Sequence, residues 1–101
     1  MKEVDYTLPI TDGDKVRIYF AKKRGKIVKF IIQYLSLTGG RWRSIIRIDT
    51  CHDYPHIHTY HLQKKENVVR LSGDNNRLFT EYKEYVIKNF RKIKDNFTFS
   101  K

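Results

Sequence analysis

Two adjacent glycines, Gly39-Gly40, separate two runs suited to strands, and they constrain this chain more than any other feature. Before them lies Ile27 to Thr38, IVKFIIQYLSLT, rich in β-branched and aromatic residues. After them lies Arg41 to Thr50, RWRSIIRIDT. A tight hairpin needs positive φ at its central positions, which glycine adopts without a Cβ penalty. The two runs are therefore predicted to pair antiparallel. A second hairpin is predicted at Lys23-Arg24-Gly25-Lys26. The run before it, Lys15 to Lys22, alternates Val16, Ile18 and Phe20 with Arg17, Tyr19 and Ala21, which is a period-2 strand.

If each loop has two residues, the register follows. Ile18 faces Ile31 and Ile31 faces Ile48, in a core face that also holds Val16, Phe20, Leu35, Leu37, Trp42 and Ile46. The other face carries Arg17, Ile32 and Arg47 in one row and Tyr19, Phe30 and Asp49 in the next. A slip of one residue exchanges the faces.

Around these hairpins the prediction is a single domain over 1–101. Residues 1–14, with Pro9 and the turn-like Asp12-Gly13-Asp14, read as a loose N-terminal arm, and the sheet spans 15–71. His56 to Gln63 is a fourth strand, Lys64 to Asn67 a turn, and Val68 to Leu71 a short fifth strand. Beyond Ser72-Gly73-Asp74, the residues Phe79, Tyr82, Val86, Phe90, Ile93 and Phe97 recur at steps of three or four. That spacing predicts an amphipathic helix over 75–97. The expected fold is α+β, an antiparallel β-meander of about five strands with one C-terminal helix packed on one face.

The net charge is +10 and the single cysteine, Cys51, excludes an internal disulfide. Such a charge attracts polyanions, although it also suits a merely solvated surface. No stretch approaches the roughly 20 apolar residues of a membrane span. MKEVDYTLPITDGD has no apolar core of a signal peptide. A cytoplasmic protein with no membrane partner is expected.

The chemistry concentrates between Ile45 and Leu62, which holds all four histidines, His52, His56, His58 and His61, with Cys51, Asp49 and Asp53. Residues i and i+2 of a strand share a face, so His56 and His58 can act as an acid–base pair or as ligands of one metal. Asp49 can orient one of them, and Arg17 and Arg47 can hold a phosphate. His61 falls on the opposite parity. Neighbours in an extended chain point apart, which argues against a Cys51–His52 dyad. His52, Asp53, His56 and His58 supply enough ligand types for zinc, but the standard zinc spacings are absent. No cofactor is therefore assigned. Lys22, Lys23, Arg24 and Lys26 surround the first turn, and Tyr60 and Tyr54 flank the histidines. Basic groups interleaved with aromatics suit single-stranded nucleic acid, RNA more than DNA, while the same lysines can simply decorate a hairpin tip.

Asp49, His56 and His58, ahead of a C-terminal helix, resemble the central segment of the TumE-like small prokaryotic toxins, which runs Tyr-Asp-Asn and then Asp-His-Arg-His. Ile48, Thr50, Pro55 and Ile57 depart from that pattern. The resemblance implies a toxin of a toxin–antitoxin pair, RNA as target and an acidic antitoxin-like partner.

Three functions remain open from the sequence. The first is an RNA-acting toxin ribonuclease, with His56 and His58 as acid–base groups, Asp49 orienting a histidine, and Arg17 and Arg47 on phosphate. The second is a non-catalytic module that binds nucleic acid or an acidic protein. The third is a metal-dependent hydrolase. The mixed second face also suits a homodimer interface.

Overall fold

The computed structural model describes residues 1–50, 54–61 and 64–99. Six strands, β1 (Lys2–Thr11), β2 (Asp14–Lys23), β3 (Lys26–Thr38), β4 (Arg41–Asp49), β5 (His56–His61) and β6 (Lys64–Arg70), precede one helix, α1 (Asn75–Phe99). They form one antiparallel sheet in chain order. The expected α+β fold is present. Among the described residues, no helix is long and apolar enough to cross a membrane.

Both hairpin turns lie where glycine placed them. Arg24 and Gly25 have φ of 54° and 77°, and Gly39 and Gly40 have 61° and 79°. Positive φ at both central positions matches the right-handed twist of the flanking strands.

The register beyond the turns differs from the prediction, because each hairpin carries an extra residue. Lys22 pairs with Ile27 but Ala21 pairs with Lys29, so Val28 is skipped. Leu35 pairs with Ser44 but Tyr34 pairs with Ile46, so Ile45 is skipped. Each bulge shifts the pairing by one residue. The central isoleucine row is Ile18–Ile32–Ile48, not Ile18–Ile31–Ile48. Phe30, Ile32, Tyr34 and Ile46 are buried, whereas Leu37 and Trp42, predicted in the core, are 42% and 40% exposed. Lys15 Nζ lies 3.9 Å over the Trp42 ring.

The N-terminal segment is not a loose arm. It pairs with β2 from Lys2↔Lys22 to Thr11↔Asp14. Asp5 ion-pairs with Arg17 at 2.9 Å, and Tyr19 Oη donates to Glu3 at 2.9 Å. Pro9 is tolerated because β1 is an edge strand. The predicted turn over 64–67 is instead the first half of β6.

Helix α1 begins at a cap in which Asp74 Oδ2 accepts from the Arg77 amide at 3.1 Å. Asn75 and Asn76 grip the backbone of Ile27 at 3.1 and 2.8 Å, which fixes the helix start over β3. From there the periodic stripe descends into the sheet. Phe79 packs edge-on to Phe20 and Phe30, and Phe90 edge-on to Tyr34. Val86, Ile93 and Phe97 complete the core. Burying each such side chain contributes about 1.5–3 kcal/mol. The helix interrupts its regular geometry only at Asn89, with φ −116° and ψ 17°.

Candidate active site

With the helix over one face, the other face carries two rows that run unbroken across all six strands. One reads Thr7, Arg17, Gln33, Arg47, His58, Val68. The next reads Asp5, Tyr19, Ile31, Asp49, His56, Arg70. The predicted links through Ile32 and Phe30 are replaced by Gln33 and Ile31, as the Val28 bulge requires. Arg17 and Arg47 nevertheless share one row, and Tyr19 and Asp49 the next, as expected.

The rows converge at β4 and β5. Asp49 sits directly opposite His56, and Arg47 opposite His58. Asp49 is only 1% exposed and His56 only 7%. Arg47 Nε lies 2.6 Å from Asp49 Oδ2. His58 Nε2 lies 3.7 Å from the other oxygen, Oδ1. On its far side, His58 Nδ1 is 2.5 Å from Glu66 Oε1, reaching across from β6. His58 is thus held between two carboxylates.

Aromatic rings frame this cluster along β5. Tyr54 lies against His56 with ring centroids 4.2 Å apart, and the Arg70 guanidinium lies 4.2 Å over Tyr54. His58 stacks on Tyr60 at 6.5 Å and 13°. Burial first, with the nearby carboxylates Glu66 and Asp49 adding to it, pushes the Tyr60 hydroxyl above its usual pKa. Tyr60 is therefore a neutral donor at physiological pH.

The other expected residues lie apart. Arg17 shares the row of Arg47 but stands two strands away, roughly 10 Å by sheet spacing, and is paired with Asp5. Lys22, Lys23, Arg24 and Lys26 form the β2–β3 hairpin tip beyond the site. Lys22 turns to the helix face, with its Nζ 5.6 Å over Phe20. Lys23 and Lys26 pair with each other on the open side. Cys51, His52 and Asp53 lie outside the described residues, as does the side chain of His61.

Glu66 and Arg70 escaped the sequence reading. The sequence pattern puts Glu66 in a predicted turn and Arg70 in a short edge strand, with no role for either. Starting the strand at Lys64 would have brought both onto the histidine face.

A family model described as a domain of unknown function (DUF7718) matches residues 1–101. No curated protein and no solved structure matches the chain.

Proposed function

The chain belongs to the DUF7718 family, and on the geometry of its open face we propose that it binds RNA there and cleaves it at the Asp49–His56–His58 cluster. The carrying observation is the convergence of Arg47, Asp49, His56 and His58 on the uncovered face of a chain with net charge +10. A phosphodiester brings negative charge, which Arg47, Arg70 and the hairpin-tip lysines attract. Cleavage needs a nucleophile activated beside that phosphate, and two imidazoles with a carboxylate are groups that achieve it. Tyr54 and Tyr60 offer surfaces on which unpaired bases stack. The toxin-like resemblance at Asp49, His56 and His58 extends this proposal to a toxin ribonuclease held in check by an acidic protein.

The test is cleavage of single-stranded RNA, with an all-deoxy strand of the same sequence as control. His58→Ala is expected to reduce cleavage on the order of a hundredfold or more while circular dichroism remains native. Wild-type activity retained in a clean H58A preparation removes this centre.

The burial of Asp49 and His56 favours a second reading, a binding module in which the cluster only stiffens the sheet. That reading predicts salt-sensitive RNA affinity, no cleavage, and no loss of affinity in H58A.

A further inference from the structure

We infer that Asp49, His56 and His58 form a binding site for one divalent transition-metal ion, with zinc the expected occupant. Each of the three side chains offers one ligand atom, and those atoms lie within 4.8 Å of one another. All three are mounted on adjacent paired strands, so the set is held by the sheet rather than by a loop.

The spacing is informative. His58 Nε2 and Asp49 Oδ1 are 3.7 Å apart, too far for a hydrogen bond. Two ligands that each sit about 2.0–2.1 Å from a shared ion stand roughly 3.4 Å or a little more apart. The pair is thus separated as ligands are, not as donor and acceptor are.

The surrounding groups favour the same occupant. Glu66 at 2.5 Å keeps the proton of His58 on Nδ1. This leaves the lone pair on Nε2, which is buried and makes no hydrogen bond among the described residues. A carboxylate behind a ligating imidazole orients it and raises its basicity. Arg47 engages Asp49 Oδ2, so the carboxylate is fixed with Oδ1 toward His58. Two imidazoles and one carboxylate select zinc and its neighbours over magnesium or calcium, which take mostly oxygen ligands. The three protein ligands found among the described residues match the number of protein ligands in catalytic zinc sites, which keep a further position for water or substrate.

The binding inference stands on this geometry alone; its part in cleavage rests on the proposed function. There the imidazoles serve as ligands rather than as proton carriers. Such an ion supplies charge stabilisation at a phosphoryl oxygen and a lowered pKa for bound water.

The experiment is a titration of chelator-treated protein with cobalt(II), followed by the visible absorption of the four- or five-coordinate ion, and displacement by zinc. Wild-type protein is expected to take up one ion per chain. His58→Gln and Asp49→Asn should lose it, and Glu66→Gln should weaken it about 10- to 100-fold with a native circular-dichroism spectrum. A His52→Ala/His61→Ala variant should bind as wild type, which separates this site from adventitious uptake by other histidines. Natively folded wild type that binds no stoichiometric ion overturns the inference, as does full binding by H58Q. Its failure is distinct from that of the RNA reading. Protein that binds the ion but cleaves no RNA retains the site and loses the function. Protein that cleaves RNA at full rate after metal removal retains the function and loses the site.

Discussion

Asp14 and Asp49 are both buried carboxylates, yet they sit on opposite faces of one sheet and keep different company. Asp14, at the start of β2 under the helix, accepts from Thr11 Oγ1 at 2.6 Å, Tyr34 Oη at 2.5 Å and Ser36 Oγ at 3.0 Å. Lys94 Nζ approaches to 4.0 Å from the helix. Asp49, at the end of β4 on the open face, has a guanidinium and imidazoles around it. Hydroxyl donors occupy a carboxylate's lone pairs and stay protonated at physiological pH. Burial first, and the bond to Asp14 second, push the Tyr34 hydroxyl still higher. Imidazoles instead carry lone pairs that can take a proton or an ion. Burial of a carboxylate therefore does not mark a site; the chemistry of its neighbours does.

The largest effects should come from exchanging the two roles. Asp49→Asn is expected to reduce RNA cleavage by about a hundredfold or more, with little change in the urea midpoint. Asp14→Ala should leave cleavage within a few-fold of wild type but lower stability by about 2–4 kcal/mol. It strands the Tyr34 hydroxyl, at about 1–3 kcal/mol, and removes the bonds from Thr11 and Ser36, each worth about 0.5–1.5 kcal/mol, while Ser36 keeps the Gly13 carbonyl at 3.2 Å. Urea titrations and initial rates on the same preparations decide it. If folded Asp14→Ala loses cleavage as severely as Asp49→Asn, the contrast between the faces fails.

Much of this arrangement was legible in the chain, for reasons that differ from residue to residue. Gly25, Gly39 and Gly40 fixed the turns because few other residues adopt positive φ. The stripe from Phe79 to Phe97 fixed the helix because its period fits nothing else. Asp49, His56 and His58 emerged as one cluster because strand parity alone places them together. The bulges at Val28 and Ile45 did not emerge. Ile27, Phe30, Ile31 and Ile32 offer apolar side chains on both parities, so alternation cannot report where one parity yields to the other. Strand β1 was obscured by Pro9 and by its charges, which read as a loop until Arg17 and Tyr19 are seen to pair with Asp5 and Glu3. Glu66 was hidden by a misplaced turn, and with it the carboxylate behind His58.

The same comparison sharpens under acid. Burial raises the pKa of Asp14, but the bonds from Thr11, Tyr34 and Ser36 and the charge of Lys94 together hold it below the ordinary value. A carboxyl whose folded pKa is depressed contributes stability above its unfolded value, about 3.9. That contribution is lost as pH falls through the folded pKa. Wild type and Asp14→Asn should therefore differ in stability near neutrality, with a difference that begins to shrink below about pH 4 and is lost only below the depressed folded pKa. The pair of urea titrations from pH 7 to pH 3 measures it. A constant difference across that range would show that the Asp14 network acts through its hydrogen bonds alone and not through its charge.

The smallest effect should come from Arg17, which tests how far the open-face site extends. Arg17 shares a row with Arg47, but its guanidinium is committed to Asp5, and both side chains are well exposed at 41% and 50%. The hydrogen bond from Arg17 first, and its charge after it, lower the pKa of Asp5. Exposed pairs of this kind contribute little to stability. Arg17→Ala should therefore leave the unfolding midpoint unchanged and RNA cleavage within two- to threefold of wild type. Arg47→Ala should reduce cleavage at least tenfold, because Arg47 alone of the two touches Asp49. A tenfold loss in Arg17→Ala would mean that the phosphate path runs along the row through Gln33 and that the reacting centre is not confined to β4, β5 and β6.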